Sequence, residues 1–254
     1  AVEDMMNIYR TGNDNIIDIY LAIKGTKINT SVFKKMIKIE YFKKFGTVKK
    51  LLQCIDIIEY WRGKSKDVRK TISKDDISKL GLNKIDYLKY VTDKTKSGGH
   101  SDKQYRITDW MGLVTALCDS IANDEFESTK LVNYQYEVLG YVDRVDPDLD
   151  WRYICITNLN TTYSPKFNAY CIQNGKITEM KVHKTIPRND KRCKVSFKQM
   201  PFEEGEILYI RDCKKEPKKI KVDDKWQVVP DTYEWWIKDY VKIVANEKKE
   251  VDAT

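Results

Sequence analysis

The spacing of apolar residues changes character near residue 131, and that change limits the chain to a helical part followed by a β-rich part. Upstream, Ile16, Ile17, Ile19, Tyr20, Leu21 and Ile23 fit a buried helix over 15–24, ended by Gly25. Asn29, Thr30 and Ser31 supply caps for a second helix carrying Phe33, Met36 and Ile37. After a turn over 42–46, Thr47 caps a third, in which Val48, Leu51, Leu52, Ile55, Ile58 and Trp61 recur at i, i+3, i+4, i+7 spacing. Further helices are predicted over 73–80, 83–90 and 108–121, and a mobile loop over 94–103. Downstream, short β-rich runs cover 134–142, 151–157, 166–172, 176–183, 192–197, 206–211 and 234–244. Turn signals such as Asp146-Pro147-Asp148, Asn174-Gly175 and Glu204-Gly205 separate them. The expected class is α+β. An all-helical region over 1–127 precedes a small antiparallel β-barrel over 128–254 with a flexible C-terminal tail.

Charge narrows the function. The 254 residues carry a net +8, yet residues 24–70 alone hold fourteen Lys and Arg against four acids. Residues 119–150 hold nine acids against two bases. So concentrated a positive field points to a polyanion partner, because neutralising phosphates releases condensed counterions. No run approaches the ~18 apolar residues of a membrane helix and no signal peptide opens the chain, so a membrane role is excluded and a cytoplasmic location expected. The six cysteines are never closer than sixteen residues, which leaves no local zinc pattern and suggests reduced thiols. The chain opens on Ala1 and ends in a polar run, as a piece of a longer protein would.

Seven lysines between Lys34 and Lys50 crowd the hairpin and the start of the third helix. Lys34, Lys35 and Lys38 share one helix face, while Lys43, Lys44, Lys49 and Lys50 surround Gly46 and Thr47 at a helix N-terminus, a ready phosphate site. Asp143, Asp146, Asp148 and Asp150 alternate as metal-binding carboxylates can. They lack the Gly and Glu of a calcium loop, and a solvated turn is the expectation. Ser97 to Ser101 (SGGHS) lacks phosphate-loop spacing, and neither His100 nor His183 has a nucleophile or acid at catalytic spacing. Aromatic residues concentrate in the β half, interleaved with bases. Trp235 and Trp236 must face opposite sides of a strand, one of them into the core.

The stretch Asn29 to Leu52 (NTSVFKKMIKIEYFKKFGTVKKLL) resembles the helix-hairpin-helix behind the fingers of bacterial-type family C replicative DNA polymerases, the DNA polymerase III alpha subunits. Glu137 to Tyr141 (EVLGY) is similar to the step that leads that family into its OB domain. The family usually has Gly where Glu40 stands and an acid where Lys43 stands. The resemblance implies a non-catalytic DNA-binding portion of such a polymerase, a nucleotidyltransferase whose palm, with its Mg²⁺ and dNTPs, lies elsewhere; no cofactor is expected in this segment. Primer-template duplex would meet Lys34, Lys35, Lys38, Lys43, Lys44, Gly46, Thr47, Lys49 and Lys50 without base readout. Single-stranded template would cross an OB-like barrel at Arg152, Tyr153, Tyr163, Lys166, Tyr170, Lys181 and Trp235, since bases stack on exposed rings. A sliding clamp or other replisome subunit is a further expected partner, although no Q-x-x-[LM]-F clamp motif occurs. The competing reading is an interaction module that docks a clamp or loader through its acidic and β regions. A metal nuclease built on Asp143 to Asp150 is a third.

Overall fold

The computed structural model describes residues 15–24, 26–62, 71–73, 81–93, 104–223 and 225–243, with Glu3, Met6, Ile8 and Ile77 besides. The chain divides into two compact units, 1–126 and 127–250. Among the described residues no helix is long and apolar enough to cross a membrane.

In the first unit α1 (Ile16–Ala22) and α2 (Thr30–Lys38) begin where asparagines cap them. Asn15 Oδ1 accepts from Asp18 N at 2.8 Å, and Asn29 Oδ1 accepts from Val32 N at 2.9 Å. α3 (Val48–Arg62) buries Val48, Leu51, Cys54, Ile55, Ile58 and Trp61, one stripe at helical spacing. Phe33 of α2 stacks on Phe42 at 4.7 Å and meets the edge of Tyr20 at 5.2 Å, which ties the first two helices to the turn. α2 ends in a Schellman motif: Tyr41 N donates to Met36 O and Glu40 N to Ile37 O, with Glu40 at φ 61°. This is a left-handed position, which favours glycine. Holding Glu there costs about 1–2 kcal/mol of backbone strain.

The unit is not all-helical. Strands β1 (Thr71–Ser73), β2 (Val91–Asp93) and β3 (Gln104–Ile107) form an antiparallel sheet in the order β1-β3-β2, with Ile72 fully buried. Runs of three or four residues are too short for alternation to register in a sequence. The helix expected over 83–90 is instead two 3-10 turns, Leu82–Lys84 and Tyr87–Tyr90, parted by the extended Ile85. α4 (Trp110–Ser120) begins at Asp109, whose side chain accepts from Gly112 N at 2.8 Å. Most of the helix expected over 73–80, and the loop expected over 94–103, fall outside the described residues.

The second unit opens with α5 (Ser128–Leu139), where the alternation of Tyr134, Tyr136 and Val138 predicts a strand. Burial of Leu131 and Val132, and the left-handed Gly140 (φ 74°) accepting the role of helix stop, favour the helix. Then come β4 (Tyr153–Asn160), β5 (Lys166–Cys171), β6 (Ile177–Val182), β7 (Ile207–Val222) and β8 (Lys225–Ile243). They close a barrel in the order β4-β5-β6-β8-β7, filled by Ile154, Ile156, Phe167, Phe202, Leu208, Ile237 and Tyr240 among others. The barrel is not purely antiparallel, because β8 runs parallel to β6. The connection over 183–206 carries the chain across to β7 beside β4, and the β7–β8 hairpin then returns to the remaining edge of β6. The strand expected over 192–197 belongs to that connection. Lys194 N and Val195 N both bond one carbonyl, Lys238 O, rather than a ladder.

Candidate nucleic-acid interface

In the first unit the hairpin lysines do not all face outward. Lys34 Nζ lies 2.6 Å from Asp56 and 2.9 Å from Glu59, so two carboxylates of α3 already hold it. Burial would depress this ammonium, but those hydrogen bonds outweigh burial and raise its pKa. The N-terminus of α3 is occupied too. Val48 N and Lys49 N donate to the two oxygens of Glu125 at 2.9 and 3.2 Å, and Thr47 N donates to Asn123 Oδ1 at 3.1 Å. Thr47 Oγ1 donates to Asp124 O at 2.7 Å, and Lys49 Nζ pairs with the Asp124 carboxylate at 2.6 Å, holding it below the usual carboxylate range. Gly46 sits at φ 150°, and a Cβ there would meet Asn123 Oδ1 at 3.3 Å. The anion-binding donors expected to grip a phosphate thus bind an internal acid. Around them a cleft of about 420 Å³ is lined by Lys43, Lys44, Gly46, Thr47 and Lys50, with Glu40 and Glu125. Lys43, Lys44 and Lys35 are exposed and Lys38 is half-buried.

In the second unit one face of the barrel gathers cations and rings. Strand register sets Lys166 opposite Lys181, Lys181 beside Trp236, and Trp236 opposite Lys214, a row across four strands. Above it lies a groove of about 580 Å³, walled by the β4–β5 loop with Tyr163 and by the β7–β8 hairpin with Lys219 and Trp226. Tyr163 is 83% exposed and Trp226 69%, so both rings stand mostly in solvent, with faces on which a planar group could stack. Trp236 is partly buried and stacks on His183 at 4.5 Å, while Trp235, 37% exposed, faces the other way. Neither of the pair is core: Trp236 is half-buried against His183, and Trp235 keeps 37% of its surface exposed.

Of the seven residues expected at a single strand, Tyr163, Lys166 and Lys181 meet in this groove. Arg152 grips Asp150 through Nε and Nη2 and lies over Tyr209 at 4.7 Å; Tyr153 packs on the same ring at 4.9 Å. Tyr170 is a core residue, packed with Cys155, Ile172 and Ile207, its hydroxyl donating to Arg144 O at 3.0 Å. Trp235 lines a separate apolar cleft of about 310 Å³ with Trp151 and Met180. Sequence reasoning missed Trp226, Trp236 and Lys219 as groove residues. The available signal was the alternation of lysine with apolar residues on both sides of Asp223, the mark of a long exposed hairpin.

Beneath Trp236 lies a buried charge cluster. Lys238, with its side chain only 2% exposed, places Nζ 2.6 Å from Asp190, 3.0 Å from Glu216 and 3.1 Å from His183 Nε2. Burial alone would lower its pKa, but the two carboxylates raise it above the ordinary lysine value. The hydrogen bond from Lys238 holds the Asp190 carboxyl low; burial, then the nearby ammonium, lowers His183.

The aspartates after α5 turn to neighbours rather than to a common centre. Gln135 Nε2 donates to Asp143, Ser128 Oγ donates to Asp146, and Asp150 takes Arg152. Among the described residues no three His, Cys, Asp or Glu side chains are grouped to hold a metal ion. His100 lies outside the described residues. Comparison of the chain with protein-family models, with curated proteins and with solved structures finds no match.

Proposed function

We propose that this chain is a sequence-nonspecific DNA-binding portion of a replicative DNA polymerase, acting in the cytoplasm, whose barrel guides single-stranded template and whose lysine-rich hairpin meets the duplex behind it. Polymerisation, with its Mg²⁺ and dNTPs, is assigned to a palm outside this segment. The observation that carries the reading is the row Lys166, Lys181 and Trp236, which lines one groove with the exposed rings of Tyr163 and Trp226. Cations that track a backbone beside aromatic platforms are what a single strand requires. A five-stranded barrel whose third and fifth strands pair in parallel supports an OB-like identity, and its groove lies between the loops such barrels use for oligonucleotides.

The test is binding to a labelled primer-template junction, to duplex and to single strand over a salt series. Preference for the junction is expected, with a slope of log affinity against log salt that reflects several phosphates. Lys43→Ala with Lys44→Ala should weaken duplex binding evenly across sequences and reduce that slope by about 2, leaving single-strand binding intact. An unchanged slope would remove the hairpin from the interface, and negligible binding near physiological salt would favour the docking role.

A further inference from the structure

Two carboxylates sit where a strand-binding groove has least electrostatic use for them. Glu216 on β7 and Glu234 on β8 are registered directly opposite each other, and both line the groove beside Trp226 and Trp236. Like charges in directly opposed positions destabilise a sheet. Each acid is held in place by its own lysine. Lys181 Nζ lies 2.6 Å from Glu234, and the buried Lys238 lies 3.0 Å from Glu216. These pairs fix two acceptor-only groups in the lining of the groove that also holds Tyr163, Trp226 and Trp236.

We infer that this groove discriminates among bases, favouring those that carry an exocyclic amine over thymine, through Glu216 and Glu234; the inference rests on the single-strand reading above. An amino group such as cytosine N4 carries two N–H bonds and can donate to both carboxylates at once. Thymine has a single N–H on that edge, flanked by two carbonyl oxygens that a pair of carboxylates repels. Carboxylate acceptance from cytosine N4 is an established readout of base identity. Cytosine and thymine are the sharpest comparison, because both present one ring for stacking and the same backbone.

The experiment measures binding of the full chain to labelled twelve-residue oligo-dC and oligo-dT at pH 8, where cytosine is unprotonated. Oligo-dC is expected to bind about tenfold more tightly, the size of one good base-edge contact. In the double variant Glu216→Gln, Glu234→Gln the amides still accept from Lys181 and Lys238 but offer donors as well, so the ratio should fall towards one. Equal affinities in the parent chain, or a preference that persists unchanged in the variant, would overturn the inference. If neither strand binds, the single-strand reading itself fails, and the inference with it.

Discussion

Replacing Tyr163 or Trp226 by Ala is expected to weaken single-strand binding about fivefold to 150-fold each, while leaving the fold intact. Both rings stand mostly in solvent at the rim of the groove, so their removal forfeits little packing, and surface changes of this kind stay within about 0.5 kcal/mol of stability. A stacked base contributes about 1–3 kcal/mol, which is the source of the range. The two substitutions come from opposite walls, one on the β4–β5 loop and the other on the β7–β8 hairpin, and their losses should combine close to additively. The salt slope should stay put, because no phosphate contact is lost. A control change at Trp151, exposed beside the separate apolar cleft, should leave affinity unaltered. Fluorescence anisotropy with a labelled oligonucleotide measures all three variants. Equal losses at Trp151 and Trp226 would place the strand elsewhere on the barrel.

The largest effect on stability is expected from Lys238→Met. The substitution keeps the volume but strands Asp190 and Glu216 without their cation. Removing one partner of a buried ion pair costs about 3–5 kcal/mol. The carboxylates keep 25% and 34% of their side-chain exposure, so the loss should lie near the lower end, about 3 kcal/mol, confined to the second unit. Adding Asp190→Asn and Glu216→Gln removes the orphaned charges and should recover part of it. The same cluster sets a pH dependence. The pKa of His183 is depressed in the fold, so its contribution is present above the unfolded value of about 6.5 and is lost as pH falls through the folded value. Asp190 is likewise depressed, and its contribution disappears as pH falls further, below about 4. Lys238→Met should flatten the second loss and shrink the first, since burial of His183 remains. Urea unfolding at several pH values measures these changes, and a cost under about 1 kcal/mol would show that the cluster does not hold the connection over 183–206 in place.

The helices of the first unit were legible because their apolar residues keep a 3.6 period over about two turns or more, and asparagine caps mark the starts of α1 and α2. The short sheet β1-β3-β2 was not, since three-residue strands have no period. Residues 134–139 misled because tyrosine and valine alternate there by chance; the helix is fixed by what Leu131 and Val132 bury, which only the folded chain supplies. The barrel strands were mostly found, but the parallel β6–β8 pairing follows from the path of the connection, not from residue pattern. At the hairpin, composition located the lysines but not their partners. Asp56, Glu59 and Asp124 lie twenty-two or more positions away in sequence, so pairing of Lys34 and Lys49 was invisible. Tyr170 and Tyr163 looked alike as aromatic residues near bases; burial alone separates the core ring from the groove ring.

The most direct measurement of the groove's role is photocrosslinking of the full chain to an oligo-dC strand containing a single 5-iodouracil, followed by mapping of the modified peptide. Attachment to Tyr163, Trp226 or Trp236 is expected, because these rings line the groove proposed to take the bases. Attachment confined to Trp151 or Trp235 would contradict it, because those rings belong to the separate apolar cleft.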